Sequence, residues 1–274
     1  MPELPEVETV RLSLRPFLLG RVLTKVEVGP FPLRLPLDPL SLSLLQGQRL
    51  LELSRRGKFL LFSFSQGVLL CHLGMSGRLL LRQGPGSWPV HVHAVFAFDS
   101  GWSMLYQDPR RFGLLLALSP QEVRSHPLLA CLGPEPLAPE EVRAALGAAR
   151  GKGSRRIRDV LLDQKVLAGL GNIYACEALF VAGIKPSRPM SRLSSAHLAR
   201  LAEAIPQVLS RALAAGGTTL RDGGYVSGLG ERGFFAQELA VYGREGQPCP
   251  RCGQLVRRCV FSGRAAYFCP CCQR

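Results

Sequence analysis

At 274 residues and 47% hydrophobic composition, the chain has room for two domains and the make-up of a folded globular protein. Its 34 Lys and Arg against 20 Asp and Glu leave a net charge of +14, which points to a polyanionic partner, nucleic acid first. No stretch approaches the roughly 20 apolar residues that span a bilayer, and no basic segment followed by an apolar run opens the chain, so the expectation is a cytoplasmic protein with no membrane partner.

Residues 3–19 read as one helix. Leu4, Val7, Val10, Leu14 and Phe17 recur at helical spacing, and Gly20 suits a C-terminal cap. From about 22 to 118 the pattern changes to short apolar runs separated by turn residues. Turns are predicted at Gln66-Gly67, at Gly74-Met75-Ser76-Gly77 and at Asp99-Ser100-Gly101. The expected result is an N-terminal β-sandwich with the first helix packed on it. "LGPEPLAPEE", with prolines at 134, 136 and 139, resists regular structure and is the best linker candidate. Helical patterns follow in "EEVRAALGAAR", "SRRIRDVLLDQ", "GNIYACEALFVAG" and "SSAHLARLAEAIPQVLSRALAAGG", where Pro206 is expected to kink the helix. Residues 216–233 hold seven glycines in eighteen positions and read as a loop.

The cysteine-rich tail carries the strongest chemical signal. Six of the nine cysteines lie between Cys249 and Cys272, and clustered thiols in a reducing compartment favour metal over disulfides. Cys249-Pro-Arg-Cys252 and Cys269-Pro-Cys-Cys272 are two C-x2-C pairs with 16 residues between them. That spacing fits one structural zinc ion on Cys249, Cys252, Cys269 and Cys272, with Cys259 and Cys271 spare. The metal replaces a core that so short a segment cannot build. Between the pairs, "LVRRCVFSGRAAYF" predicts a basic hairpin turning near Ser262-Gly263, carrying Arg257, Arg258 and Arg264.

Other stretches admit two readings. Gly169, Gly171 and Asn172 interrupt two helical patterns: they form either an ordinary helix–helix turn or a helix N-terminus aimed at a phosphate. Lys152, Arg155, Arg156 and Arg158 add positive charge nearby. In "YQDPRRFG", Arg110 and Phe112 are either a salt-bridged turn with a core aromatic or an exposed pair that wedges into a base stack. Met75 is either a second wedge or buried. His72 is either a structural histidine or a phosphate contact, and Arg55, Arg56 and Lys58 form a basic patch.

Taken in order, "PELPEVET", "RRGKFL", "HLGMSG", "DPRRFG", "LLDQKVLAGLGNIYACEALFVAGIKP", "FAQELAVYGREGQPC" and the four-cysteine tail closely resemble the bacterial formamidopyrimidine-DNA glycosylase family, over nearly the whole chain. The resemblance implies an α+β fold: an N-terminal helix with a β-sandwich, then a helical helix–two-turn–helix domain with a C-terminal zinc-finger β-hairpin. The implied boundaries are 1–132, a linker at 133–152, 153–235 with the lesion loop, and 236–274. It implies removal of oxidised purines, such as 8-oxoguanine and formamidopyrimidines, from double-stranded DNA by a monomer, followed by strand cleavage. In that scheme Pro2, exposed by loss of Met1, is the nucleophile. Glu3 is the acid, Lys58 and Arg264 assist, and Glu6 borders the lesion pocket. His72, Asn172 and Arg158 contact DNA, while Met75, Arg110 and Phe112 fill the space left by the extruded nucleotide. Arg158 stands where the family often has a lysine, which bears on lesion preference.

Two other readings share part of this pattern. An endonuclease VIII-like enzyme for oxidised pyrimidines would keep the N-terminal proline, the acid and the finger. A non-catalytic zinc-ribbon DNA-binding protein fits the charge and the cysteines. Glu3-Leu4-Pro5 together with Met75, Arg110 and Phe112 favours the purine enzyme, and a mere binder has no need of a free amine beside Glu3.

Overall fold

The computed structural model describes residues 1–84, 88–150, 154–220 and 225–274. They fall into two compact units, one of Met1–Ala130 with Ala215–Ala236, the other of Cys131–Ala214 with Gln237–Arg274. Lys152 and residues 221–224 of the glycine-rich stretch lie outside the described residues.

The first unit opens with α1 (Leu4–Leu18). Glu3 and Glu6 form a capping box and Pro5 sits in the first turn, so the helix begins where its first amides most need acceptors. Leu4, Val7, Val10, Leu14 and Leu18 are buried along one stripe. Gly20 follows with φ +76°, a left-handed position that a glycine takes without a Cβ penalty.

Two antiparallel four-stranded sheets follow. One has the order β1 (Leu23–Val28), β6 (Val92–Phe98), β7 (Trp102–Gln107), β5 (Arg78–Gln83). The other runs β2 (Leu50–Arg56), β3 (Phe59–Phe64), β4 (Val68–His72), β8 (Leu114–Leu118). Period-two burial shows in β3, where Leu60, Phe62 and Phe64 point inward. Residues from both sheets and α1 share one apolar core, which includes Phe62, Phe96, Tyr106 and Leu14. Short helices α2 (Pro39–Ser43), α3 (Pro120–Ser125) and α4 (Pro127–Ala130) occupy the connections.

The second unit is helical: α5 (Pro139–Arg150), α6 (Ile157–Leu161), α7 (Asn172–Ala182) and α8 (Ser195–Ala214), with 3-10 turns at Met190–Arg192 and Phe235–Glu238, the latter spanning the division between the units. A hairpin of β9 (Arg257–Phe261) and β10 (Arg264–Phe268) closes it. Ser262 and Gly263 have φ of 48° and 74°, which is the twist that a two-residue hairpin turn demands.

Three details differ from the sequence reading. The segment 133–152 is more than a linker, because α5 buries Val142 and Leu146 and packs on α8. The helix in "SRRIRDVLLDQ" shrinks to Ile157–Leu161. Across Pro206, α8 runs without interruption. Buried residues on both sides of the proline, Leu201 and Ile205 before it and Val208 and Leu209 after it, offset a lost hydrogen bond and ring clash costing about 3 kcal/mol.

Candidate active site and metal centre

The N-terminus of α1 gathers charge in a dry place. Pro2 is buried while Met1 is exposed. Glu3 and Glu6 are 2% and 1% exposed. Acidic groups are rarely buried this far without a task or a set of donors. Glu6 has donors: its Oε2 accepts the Glu3 N–H at 2.8 Å, and its Oε1 accepts the Thr218 N–H at 2.8 Å. One carboxylate thus spans the start of the helix and the start of the glycine-rich stretch. The fit is close, since a Cβ at Gly217 would lie 3.1 Å from Glu6 Oε1. Tyr225 donates its hydroxyl to the Gly216 carbonyl at 3.1 Å, and burial pushes its phenol above the ordinary range. Further on, the Gly228 N–H donates to Ser13 Oγ at 2.8 Å. Both described ends of the glycine-rich stretch are therefore seated on α1. Nothing in the glycine pattern pointed to Thr218, whose partner Glu6 lies 212 residues away, or to Tyr225.

Lys58, in the turn from β2 to β3, is only 7% exposed. His72 ends β4 opposite Phe59, and the two rings sit 4.8 Å apart. Burial, assisted by the charge of Lys58, holds the His72 pKa down to about 4. The ring is neutral near pH 7, and its Nδ1 accepts the Gly74 N–H at 3.0 Å, so its proton resides on Nε2. His72 is thus equipped to donate a hydrogen bond, not to supply a positive charge. Arg55, read as part of a basic patch, pairs with Glu8 of α1 at 3.0 Å and is largely buried.

Met75, Arg110 and Phe112 stand on two turns that touch. Met75 and Phe112 are 39% and 44% exposed, so neither is a core residue. The Arg110 guanidinium lies 5.1 Å from the centre of the Phe112 ring. Gly74 allows the approach: a Cβ there would meet the Phe112 carbonyl carbon at 2.5 Å. Below the surface, Asp108 is fully buried. Its Oδ1 accepts from Ser76 Oγ at 2.6 Å and from the Arg110 N–H at 3.3 Å, and its Oδ2 accepts the Gly113 N–H at 2.8 Å. The Asp-Pro dipeptide signalled the turn, but the pairing with Ser76 had no sequence signal.

In the second unit, Arg158 departs from the expected DNA contact. It is 1% exposed, and its guanidinium donates to Asp159 Oδ1 at 3.1 Å, the Phe261 carbonyl at 3.1 Å and Asn172 Oδ1 at 2.9 Å. Asn172, at the start of α7, in turn donates to the Ala265 carbonyl at 2.8 Å. Together they fasten the helix start to the β9–β10 hairpin. Beside them lies an open cleft of about 550 Å³ lined by Arg155, Arg158, Asp159, Asp163, Ser262 and the exposed Arg264. Glu177, missed in the sequence, is buried within α7, where its carboxylate accepts the N–H groups of Ala240, Val241 and Tyr242 at 2.8 to 3.0 Å. Its one signal was a lone acid in an otherwise apolar helix.

The sulfurs of Cys249, Cys252, Cys269 and Cys272 all lie within 4.8 Å of one another. Zinc held about 2.3 Å from each of four tetrahedral sulfurs sets those sulfurs about 3.8 Å apart. The Cys249–Cys272 and Cys252–Cys269 separations of 3.9 and 3.5 Å fit that ion. Backbone N–H groups of Arg251 and Cys272 point at Cys249 and Cys269 sulfurs, which suits thiolate ligands.

Three family models match the chain in order. They are the formamidopyrimidine-DNA glycosylase N-terminal domain over residues 1–115, the formamidopyrimidine-DNA glycosylase H2TH domain over 132–230, and the zinc finger found in FPG and IleRS over 246–274. Formamidopyrimidine-DNA glycosylase of Thiobacillus denitrificans is 48% identical across the full length of both chains, and that of Geobacillus kaustophilus 42%. The crystal structure of the MutM (FPG) protein from Thermus thermophilus aligns with a TM-score of 0.88 at 42% identity, over 99% of this chain and 98% of that one. A complex of Lactococcus lactis Fpg with DNA containing an abasic site aligns at 0.88 and 33% identity, over 99% of each chain.

Proposed function

The chain belongs to the formamidopyrimidine-DNA glycosylase family, and from that premise we propose that it excises oxidised purines from duplex DNA and then cuts the strand, with Pro2 as nucleophile. The observation that carries this reading is the buried pair Glu3 and Glu6 beside a buried Pro2 at the start of α1.

Removal of Met1 leaves Pro2 as a secondary α-amine. Such groups titrate at about 7.7–8.0 when unperturbed, so a useful fraction is neutral near pH 7. The amine forms a bond to sugar C1′ as the bond from C1′ to the base breaks. Glu3 moves the proton that the departing base and the ring oxygen need. The resulting iminium acidifies the C2′ proton, and loss of that proton expels the 3′-phosphate by β-elimination. A δ-elimination then releases the 5′-phosphate. The base must leave the stack for any of this, since C1′ is shielded in the duplex. Met75, Arg110 and Phe112 occupy the space it leaves, Arg110 facing the orphaned base. Lys58, His72, Asn172 and Arg264 hold phosphates, and Arg158 acts through Asn172 and the hairpin. Zinc, when bound, holds the hairpin and its Arg264 in shape. One chain carries every group required, so the enzyme acts as a monomer. Its setting is the bacterial cytoplasm at the nucleoid. No helix among the described residues is long and apolar enough to cross a membrane.

Borohydride reduction tests the reading. Duplexes carrying 8-oxoguanine opposite cytosine should yield a covalent protein–DNA adduct, and Pro2→Gly should yield none. Trapping only on oxidised pyrimidines would move the enzyme to the endonuclease VIII-like branch. No adduct on any lesion would leave a DNA-binding protein, and an adduct persisting in Pro2→Gly would move the nucleophile elsewhere.

A further inference from the structure

His93, on β6 beneath the Asp108–Phe112 turn, is fully buried and was not singled out by the sequence. Its Nδ1 lies 2.9 Å from the Phe31 carbonyl oxygen, and its Nε2 lies 2.9 Å from the Asp108 carbonyl oxygen. Both partners are backbone carbonyls, which accept and cannot donate. The ring therefore bridges the Phe31 backbone on one side to the Asp108 backbone on the other. The Asp108 side chain, also buried, ties the same turn to Ser76.

The backbone around the ring is held at every step. Asp108 N–H donates to the His91 carbonyl at 3.0 Å, and the Gly29 N–H donates to the His93 carbonyl at 2.8 Å. Arg34 N–H donates to the Arg111 carbonyl at 2.9 Å. Arg111 itself has φ 61°, a left-handed conformation for a residue with a side chain, which persists only where its surroundings over-determine it. With the Ser76–Asp108 bond, these contacts fix the backbone of residues 108–113 and leave the side chains of Arg110 and Phe112 projecting.

We propose that His93 and Asp108 are positioning residues that lock the turn presenting Arg110 and Phe112, joining it to the Phe31 loop on one side and the Met75 turn on the other. The proposal rests on the reading that these side chains enter the duplex.

Insertion, followed with a duplex carrying 2-aminopurine beside the lesion, tests it. Phe112→Ala should abolish the fluorescence change, and His93→Gln should slow it about tenfold or more, since small misplacements cost that much. Ser76→Ala, which removes the hydroxyl that donates to Asp108 and accepts the Arg110 N–H, should slow it as well and keeps the test open if His93→Gln does not fold. A full loss in Phe112→Ala with normal insertion in folded His93→Gln or in Ser76→Ala would overturn the positioning role. Normal insertion in Phe112→Ala would overturn the wedge reading itself and with it this proposal.

Discussion

His72 shows how much a single environment changes a residue. Its pKa is held near 4 by burial and by Lys58, against 6.5 for an ordinary histidine. The folded-state value is lowered, so between pH 6.5 and 4 the unfolded chain binds a proton that the folded chain does not. The associated stability is complete above about pH 6.5 and disappears as pH falls through that window. At 1.36 kcal/mol per pKa unit the full effect is on the order of 3 kcal/mol. Urea denaturation at pH 7 and pH 5 should show a lower midpoint at pH 5. In His72→Gln that part of the difference should vanish; an unchanged difference would place the titrating group elsewhere. Arg158 and Glu177 make a related point. Arg158, expected at DNA, and Glu177, missed in the sequence, each make hydrogen bonds to neighbouring groups inside the protein.

Among elements, the two apposed turns at 74–77 and 108–113 are held by close backbone contact and by the Asp108 carboxylate. Gly20 and Gly74 both have positive φ, but their surroundings differ. A Cβ at Gly20 meets nothing within 4 Å, whereas one at Gly74 strikes the Phe112 and Gly113 backbone at 2.5 and 2.6 Å. Gly20→Ala should therefore cost about 1 kcal/mol from backbone conformation alone. Gly74→Ala should cost several kcal/mol, because backbone must move as well. Chemical denaturation of the two variants checks this, and equal losses would show that the turns part freely. The glycine-rich stretch illustrates the opposite case. Composition suggests a free loop, but Glu6 and Ser13 of α1 accept its backbone N–H groups at Thr218 and Gly228.

At the scale of the molecule, the first unit and the finger end of the second draw on different sources of stability. The first has a large apolar core of helix and two sheets. Among the described residues, the finger end of the second has a small cluster that includes Phe180, Val241, Val256 and the metal-site cysteines Cys249 and Cys269. Zinc supplies what that cluster lacks. A strong chelator should therefore release one zinc per chain, abolish the cooperative protection of amides in β9 and β10, and weaken DNA binding. Amides of β3, β6 and β7 should remain protected. Loss of protection throughout the first unit, or none in the hairpin, would contradict this division.

Local pattern was enough for much of this protein. The spacing of Leu4, Val7, Val10 and Leu14 determined α1, because a helix repeats every 3.6 residues and a buried stripe must follow that repeat. Short apolar runs between turn residues marked β3 to β7, and two C-x2-C pairs marked the metal centre, because a tetrahedral ion accepts few spacings. Only the tertiary structure decided which buried polar groups meet. Glu6 finds Thr218, Ser76 finds Asp108, Arg158 finds Asn172 and Phe261, and Glu177 finds residues 240–242. Such pairs join positions up to 212 residues apart, and a hydrogen bond between distant residues leaves no periodic trace in the chain. The same holds for His93, whose two carbonyl partners come from separate loops, so its part in the protein is set by a fold that brings them together.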